Sequence, residues 1–450
     1  MLHQNVDNGG AATSAGLRIT RRQWLTLTGT TLGWGLEGFD ASLYTLIIVP
    51  AVTDVLGAGA SPADISYHTG LAVAIFLIGW ALGGLAFGML ADHLGRVRVL
   101  TFSIVLYATA TAASALAQNY WQLAALRFLA GLGSGVEAPV GAVLMAETWN
   151  NRYRARAIGI MMSGFAGGFF LASVVYGAIG GHGWRISLLV AILPAGIALF
   201  VRKHIHEPEA MVEVRRRRAE RKAAATRSPQ DRFILAQLFT PPLLRRMVPC
   251  LLIQTGALFA FWSISTWTPP IIKQLASADG LSDTVALSHV STATAMLNLG
   301  GVVGYASWGF IADAVGRRGA FLISFTVTLV SSIVLFPFDR SYGTYLLLLP
   351  AVGFGIFGAL GGPCVYFPEI FPTRVRASSI AVSNSVGRLL TAGGPLLASS
   401  IATRYFDGDL GVAVTVVSCL VLLSVVGALM APETRGAFLE EPETSKGVGL

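Results

Sequence analysis

The sequence is dominated by long apolar runs that recur along its whole length and are separated by short polar breaks. Each run comes close to the roughly 20 residues that an α-helix needs to cross a hydrocarbon core of about 30 Å. Only 12% of the 450 residues are Asp, Glu, Lys or Arg, which is about half the charged fraction of a soluble protein. The chain is therefore predicted to be a polytopic, all-α membrane protein.

Twelve transmembrane helices are predicted by reading the apolar segments between polar breaks. They cover residues 24–53, 68–91, 97–117, 120–147, 154–180, 184–201, 247–272, 286–312, 319–336, 342–368, 376–402 and 410–430. The predicted organisation is a tail (1–23), a six-helix bundle (24–201), a basic linker (202–246), a second six-helix bundle (247–430) and a tail (431–450). The first run is too long for a cleaved signal peptide, so it is expected to remain as the first span.

The distribution of basic residues predicts the orientation. With both termini in the cytoplasm, 26 of the 32 Lys and Arg residues fall on inner segments and four on outer loops, as the positive-inside rule requires. The linker holds twelve of them against five Asp and Glu residues, which favours a solvated segment near anionic lipid over a nucleic-acid-binding one. Two arginines and three acids remain within the membrane: Arg127, Arg388, Glu37, Asp40 and Glu137.

Two sequence motifs occur twice, once in each half of the chain. "GMLADHLGRVR" and "GFIADAVGRRG" match at an offset of 221 residues, and "ETWNNRYRA" and "EIFPTRVRA" match at an offset of 222. The two halves are therefore predicted to share one fold. The repeated residues are expected to form a cytoplasmic gating network whose ion pairs break when the inner face opens; the alternative is that they only mark the cytoplasmic edge. They are Gly88, Asp92, Gly95, Arg96, Glu147, Arg152 and Arg154, with Gly309, Asp313, Gly316, Arg317, Glu369, Arg374 and Arg376.

These motifs resemble those of the major facilitator superfamily. The doubled G-x-x-x-D-x-x-G-R is similar to its loop signature, and the paired E-x-x-x-x-R-x-R with the terminal "PETRG" resembles its sugar-porter and metabolite-symporter branch. "GLGSGVEAPVGAVLMAET", "NSVGR" and "EGFD" are similar to stretches of sialate, monocarboxylate and aromatic-acid proton symporters. The resemblance implies a transporter rather than an enzyme, with a central cavity lined by the first, fourth, seventh and tenth spans.

Four of the intramembrane charged residues lie on the first and fourth spans. Glu37 and Asp40 are three positions apart, so both can face one cavity. Arg127 is expected to reach Asp40, and Glu137 to lie deeper toward the cytoplasm. Because burial opposes the charge on a carboxylate and a guanidinium stabilises it, a pair that separates in one conformation can exchange a proton. All four are predicted to couple protons; the alternative is a set of permanent structural charges.

The remaining cation, Arg388, has no carboxylate within the membrane part of its own half. A guanidinium binds carboxylates bidentately, so an anionic substrate is predicted to supply the missing charge; the alternative is that Arg388 caps helix carbonyls or reaches the cytoplasmic edge. Polar and aromatic side chains near the seventh, tenth and eleventh spans are predicted to line the substrate site: Asn384, Gln254, Trp262, Trp267, Asn298 and Tyr366.

The sequence thus predicts a secondary transporter that imports a small organic acid with protons by alternating access. The alternatives are a sugar or polyol proton symporter and a metabolite or drug exporter with the same fold. The expected partners are a small solute, protons and the lipid bilayer of a bacterial inner membrane, with the protein acting as a monomer. No nucleic acid, cofactor or metal is expected, because the three cysteines lack metal-ligand spacing.

Overall fold

The computed structural model describes residues 19–94, 96–135, 137–149, 153–190, 192, 196, 240–338, 340–371 and 376–434. Every regular element in these ranges is helical. The helices of the first half are α1 (Arg21–Leu56), α2 (Pro62–Leu94), α3 (Arg96–Ser114), α4 (Tyr120–Ser134), α5 (Glu137–Thr148), α6 (Arg154–Ile179) and α7 (Trp184–Val190). Those of the second half are α8 (Pro241–Ala278), α9 (Asp283–Leu335), α10 (Tyr342–Ile370), α11 (Arg376–Thr391), α12 (Gly394–Tyr405), α13 (Leu410–Ser418) and α14 (Val421–Met430).

Seven helical stretches within the described ranges are long and apolar enough to cross a membrane. They are Arg21–Leu56, Pro62–Gly88, Arg154–His182, Leu243–Ala278, Asp283–Leu335, Tyr342–Ile370 and Leu410–Met430. Their outer surfaces carry large exposed apolar side chains, among them Leu171 and Phe310, as expected of a surface in contact with lipid rather than water. The chain is a multi-pass membrane protein, and the count of twelve spans stays a prediction.

The helix limits agree with the predicted spans in part. Gly316 has a φ of 86° and a ψ of 167° and turns the chain inside α9, between the predicted eighth and ninth spans. Within the predicted fourth span, α4 ends at Ser134 and α5 begins at Glu137. The predicted eleventh and twelfth spans each contain two helices, α11 with α12 and α13 with α14. α2 begins six residues before its predicted limit, α8 extends six residues beyond its span at each end, and α1 begins at a Thr20–Gln23 capping box.

Close helix contacts repeat at the offsets found in the sequence. Gly79 on α2 lies against the carbonyl oxygen of Phe128 on α4, and Gly300 on α9 lies against that of Pro350 on α10. At both glycines a Cβ atom would collide with the neighbouring backbone, so only glycine allows this approach. The two contacts are related by 221 residues on one helix and 222 on the other, which confirms that the repeat is structural.

The same offsets relate two histidine–tyrosine contacts. The Tyr120 hydroxyl donates to the carbonyl oxygen of His68 at 3.0 Å, and the Tyr342 hydroxyl donates to that of His289 at 3.2 Å. The side-chain rings also touch, with centroids 4.7 Å apart in the first pair and 3.7 Å in the second. His289 thus packs as an interior residue of a repeated helix–helix contact.

Helices of the two halves pack against each other at several places in the described part of the chain. α6 packs along α9, α2 packs against α11 and α12, and α1 contacts α8. The α6–α9 contact is partly polar, since Asn298 Nδ2 donates to Ser173 Oγ at 3.2 Å and Ser291 Oγ donates to the Ser173 carbonyl oxygen at 2.7 Å. Side chains of α1, α2, α8 and α11 therefore face one another across the boundary between the halves.

Candidate functional site

The two arginines that the sequence assigns to the membrane interior are both buried. Arg127 on α4 has no exposed surface, and Arg388 on α11 is 7% exposed. A buried guanidinium is costly unless charges and hydrogen bonds compensate it. The groups around each arginine therefore define what this part of the protein can do.

Arg127 lies close to Asp40 but is bonded to a different residue. Its Nε and Nη2 atoms donate to Ser114 Oγ at 3.2 and 3.0 Å, and its Cζ atom lies 4.8 Å from the ring centroid of Tyr44. Arg127 and the Thr111 hydroxyl are the polar neighbours of the Asp40 carboxylate. Yet neither Asp40 oxygen completes a hydrogen bond to a described residue. Asp40 and Arg127 therefore lie near enough for electrostatic attraction but are not hydrogen-bonded to each other, unlike the partners of a permanent structural ion pair.

Arg388 is surrounded by groups from the other half of the protein. Its Cζ atom lies 4.5 Å from the ring centroid of Trp80 on α2, a cation–π contact. The nearby negative charge is that of Glu37 on α1. The expectation that Arg388 lacks a carboxylate in the protein is therefore wrong, because it considered only the charges of one half and Glu37 acts across the boundary. Whether Arg388 also binds substrate stays a prediction.

Four buried side chains at this boundary have polar atoms without a hydrogen-bond partner among the described residues. These atoms are Trp34 Nε1, Trp80 Nε1, Gln254 Oε1 and Arg388 Nη1. Trp34 lies one helical turn from Glu37 on α1, its ring centroid is 6.5 Å from that of Trp80, and Gln254 packs against Gly387, the neighbour of Arg388. Together with Glu37 we call these residues the seam cluster. Such unsatisfied groups indicate a place where a ligand or water belongs.

Aromatic rings surround the seam cluster on both sides of the boundary. The Trp262 ring on α8 is 5.6 Å from that of Trp80, and the Phe165 ring on α6 is 4.5 Å from that of Trp34. Further ring contacts link Phe76, Phe169, Phe261 and Phe357 to the same layer. Trp262 thus lies where the sequence predicts a lining residue. Trp34 and Trp80 were not among the predicted lining residues. The three-residue spacing between Trp34 and Glu37 could have identified Trp34, because it places these two residues on one helix face.

The other predicted lining residues fall in different places. Asn384 is buried on α11 one turn before Arg388, and Asn298 borders a small cavity between α1, α6, α8 and α9. Trp267 Nε1 donates to the Pro395 carbonyl oxygen at 3.1 Å, and the Tyr366 hydroxyl donates to that of Pro432. The polar atoms of Trp267 and Tyr366 are thus engaged by backbone within their own half, away from the seam cluster.

Glu137 is buried in the first turn of α5. An acid in that position interacts favourably with the positive end of the helix dipole. A structural role at this helix start therefore accounts for its burial, and its predicted part in proton coupling stays a prediction.

A cavity of about 340 Å³ opens between the halves on the predicted outer face. It is bordered by α1, α6, α8 and α9, and its polar lining includes Asp54 and Lys273. The smaller cavity beside Asn298 shares Thr45, Leu46 and Pro269 with it. The two cavities are therefore adjacent, and the one beside Asn298 has a volume of only about 10 Å³.

The predicted cytoplasmic face is held by ion pairs around Arg317. Its guanidinium donates to Glu369 at 2.9 and 3.1 Å and to Asp313 at 3.0 Å. Asp313 also accepts from Arg156 Nε at 3.1 Å, which joins the second half to the first. The left-handed turn at Gly316 brings Arg317 back over the end of α10. These contacts are those expected of the second-half copy of the gating network.

The other members of the network are only partly described. Arg154 lies near enough to Glu369 for an electrostatic interaction across the halves. Gly309 allows α9 to approach the backbone of Ala155, whereas a Cβ atom at Gly88 would meet no described atom within 4 Å. Residues Gly95, Arg152 and Arg374, and the side chains of Asp92, Arg96, Glu147 and Arg376, lie outside the described part.

Replacing Arg317 should destabilise the protein strongly. Arg317→Ala leaves Glu369 without its bidentate partner in a site where the two side chains are 3% and 10% exposed, which we expect to cost about 3 to 5 kcal/mol. Arg156→Ala is the matched control, because its pair with Asp313 is 40% and 30% exposed and should cost about 1 kcal/mol or less. Thermal unfolding of the detergent-solubilised variants measures both. Equal losses would show that burial of the Arg317 pair is unimportant.

Comparison with known proteins gives consistent matches along the chain. The Major Facilitator Superfamily profile matches residues 30–395. A putative metabolite transport protein of Haemophilus influenzae is 30% identical over 94% of this chain and 99% of its own. A probable 4-methylmuconolactone transporter of Cupriavidus pinatubonensis is 31% identical, covering 91% and 90%. The cis,cis-muconate transport protein of Acinetobacter baylyi is 29% identical, covering 82% and 86%.

The fold is also found among solved structures. The proton:xylose symporter XylE, bound to 6-bromo-6-deoxy-D-glucose, superposes with a TM-score of 0.73 at 17% identity and covers 93% of this chain and 97% of its own. At that identity the likeness concerns the fold alone. Because the family profile covers most of the chain and the helical fold agrees with it, the chain belongs to the Major Facilitator Superfamily.

Proposed function

We propose that this transporter carries a small organic acid into the cell together with protons, by alternating access. The observation that carries the proposal is the seam cluster. It combines a buried arginine with buried indole and amide groups at the boundary between the halves. Unpaired hydrogen-bond donors grouped around a guanidinium can bind the oxygens of a carboxylate. The relatives named for 4-methylmuconolactone and cis,cis-muconate support a substrate of this class.

Alternating access needs contacts that break on one face while others form on the opposite face. The ion pair between Arg156 and Asp313 joins the halves on the predicted cytoplasmic face, and the 340 Å³ cavity lies between them on the predicted outer face. We infer that release of the substrate inward requires this ion pair to open. The cavity is then the entry path from outside.

Proton coupling is assigned to Asp40 beside Arg127, with Glu37 beside Arg388 as a second candidate. One proton moving with a monovalent anion carries no net charge, so a membrane potential contributes nothing to uptake; each uncompensated charge would be worth about 2.3 kcal/mol per 100 mV. A pH difference of one unit supplies about 1.4 kcal/mol per proton. For a dicarboxylate such as cis,cis-muconate, one proton leaves one negative charge to be moved and two protons make transport electroneutral, so two buried carboxylates would let a pH difference alone drive accumulation.

Uptake into proteoliposomes with an acidic exterior tests this function. We expect cis,cis-muconate to accumulate in vesicles that contain the protein, a protonophore to abolish accumulation, and protein-free vesicles to take up little. Xylose should not be driven by the same gradient. Driven uptake of xylose without muconate would favour the sugar symporter, and muconate efflux coupled to proton entry would favour the exporter.

Replacing Arg388 should selectively weaken the binding of an anionic substrate. Hydrogen bonds to charged groups contribute about 1.5 to 3 kcal/mol, so Arg388→Ala is expected to lower the apparent affinity for cis,cis-muconate roughly 10- to 100-fold. Arg340→Ala is the matched control, because Arg340 donates to the Val334 carbonyl oxygen on the predicted outer side and stacks on Phe338. Muconate uptake by Arg388→Ala with wild-type KM would remove Arg388 from the binding site.

A further inference from the structure

We propose that the carboxylate of the substrate binds the Arg388 guanidinium together with the indole N–H groups of Trp34 and Trp80, and that it takes the place of Glu37 as the counter-ion of Arg388. This inference rests on the proposed function and names the groups that perform it. It follows from the unsatisfied atoms of the seam cluster and from their arrangement.

Three donor nitrogens of the seam cluster lack hydrogen-bond partners among the described residues although their side chains are buried, which is energetically unfavourable. The exposed fractions of Trp34, Trp80 and Arg388 are 5%, 2% and 7%, and each has a donor nitrogen with no hydrogen bond to a described residue. A buried polar group left unpaired costs about 1 to 3 kcal/mol. Indole and guanidinium nitrogens only donate, so the group that satisfies all three must be rich in acceptors. A carboxylate, with two oxygens and about four acceptor positions, meets that need.

The three donors come from three helices that converge. Trp80 links them, because its ring centroid is 6.5 Å from that of Trp34 and 4.5 Å from Arg388 Cζ. The Arg388 guanidinium is also held in orientation by this stacking, which reduces the entropy lost when it binds a ligand. α1 and α2 belong to the first half and α11 to the second. A ligand held by all three therefore contacts both halves at once, and its affinity must change when the halves move apart.

Glu37 is buried on α1 one helical turn from Trp34 and lies near enough to Arg388 for electrostatic attraction, so it is the counter-ion that a substrate must replace. A substrate carboxylate and the Glu37 carboxylate would repel each other if both stayed charged beside one guanidinium. Binding of substrate therefore requires Glu37 to move away or to accept a proton. Glu37→Gln keeps the size of the side chain and removes the competing charge, so this variant should bind the substrate more tightly than the wild type does.

Equilibrium binding of cis,cis-muconate to the purified full-length protein tests the proposal by calorimetry. Trp34→Phe and Trp80→Phe keep an aromatic ring and lose the N–H group, and each should raise Kd about tenfold or more. Glu37→Gln should lower Kd several-fold. Trp308→Phe is the matched control, because Trp308 Nε1 is also buried without a hydrogen bond to a described residue, but its ring packs on Phe321 away from the seam cluster; its Kd should not change. Thermal unfolding verifies that each variant is folded.

The outcomes separate this inference from the proposed function. If the wild type binds cis,cis-muconate and both Trp34→Phe and Trp80→Phe bind it equally well, the indole contacts are refuted while organic-acid transport stands. A loss in Trp308→Phe as large as in Trp80→Phe would trace the effect to packing and overturn the proposal. Weaker binding by Glu37→Gln would refute the displacement of Glu37. A wild type that does not bind cis,cis-muconate would overturn both the inference and the proposed function.

Discussion

Asp40→Asn should abolish uphill uptake of cis,cis-muconate while exchange of labelled for unlabelled substrate stays measurable. Accumulation needs a group that binds a proton on one side and releases it on the other, whereas exchange needs no net proton movement. Asp40 is suited to that task because its oxygens form no hydrogen bond to a described residue although Arg127 is near. An asparagine of nearly the same size preserves packing and removes the titrating group. Uptake and exchange in proteoliposomes, with and without a pH gradient, measure the two activities.

Asp54→Asn provides the matched control for this experiment. Asp54 lies on the same helix but at its outer end, where it accepts from Arg185 at 2.6 Å and is half-exposed. Its replacement should leave gradient-driven accumulation close to that of the wild type. Accumulation by Asp40→Asn at the wild-type level would exclude Asp40 from proton coupling, and loss of both uptake and exchange would point to a defect in folding or substrate binding.

The fold was largely predictable because a membrane imposes a simple requirement on the sequence. A helix that crosses lipid must satisfy its own backbone and present some 20 apolar residues, so apolar runs and polar breaks mark the helix limits directly. The apolar runs do not predict the local backbone geometry. The turn at Gly316 depends on the φ and ψ values of a single glycine, and many other glycines of this chain lie at helix contacts instead of turns.

The candidate site was predictable only in part. Sorting charges by membrane position identified Asp40, Arg127, Glu37 and Arg388, because a charge inside the membrane is rare and usually functional. Pairing them needed tertiary structure. Arg388 was expected to lack a protein counter-ion, and Glu37 is 351 residues away in the sequence. Nothing in the local pattern of α11 indicates that its neighbour across the boundary is α2 with Trp80.

The internal repeat applies to the helix contacts but not to the charged residues of the candidate site. Helix contacts recur between the halves, as at the glycines of α2 and α9. The charges within the membrane do not recur. With an offset of 222 residues, the position of Arg127 is occupied by Leu349, that of Glu137 by Ala359, and that of Arg388 by Ala166 in the first half. Related helix packing thus carries different charged residues in each half.

Gly168→Val should prevent assembly of the first half. A Cβ atom at Gly168 on α6 would run into the carbonyl oxygen of Gly35 and the amide nitrogen of Phe39 on α1. Both are helix backbone atoms, which cannot move aside as a flexible side chain can. Inserting atoms into a well-packed contact typically costs about 1 to 3 kcal/mol and more where the backbone must shift. Here the shift would also displace Glu37 and Asp40, because both lie on α1.

Gly167, the neighbour of Gly168, provides the matched control for this prediction. Gly167 lies on the same helix, and a Cβ atom there would meet no described atom within 4 Å. Gly167→Val shares the helix-propensity cost of a β-branched residue without the collision. We expect Gly168→Val to give little folded protein by size-exclusion chromatography and a strongly lowered unfolding temperature, and Gly167→Val to resemble the wild type in both. Similar behaviour of the two variants would mean that α1 and α6 do not pack through Gly35 and Gly168, and the placement of Glu37 and Asp40 at the boundary would lose its structural basis.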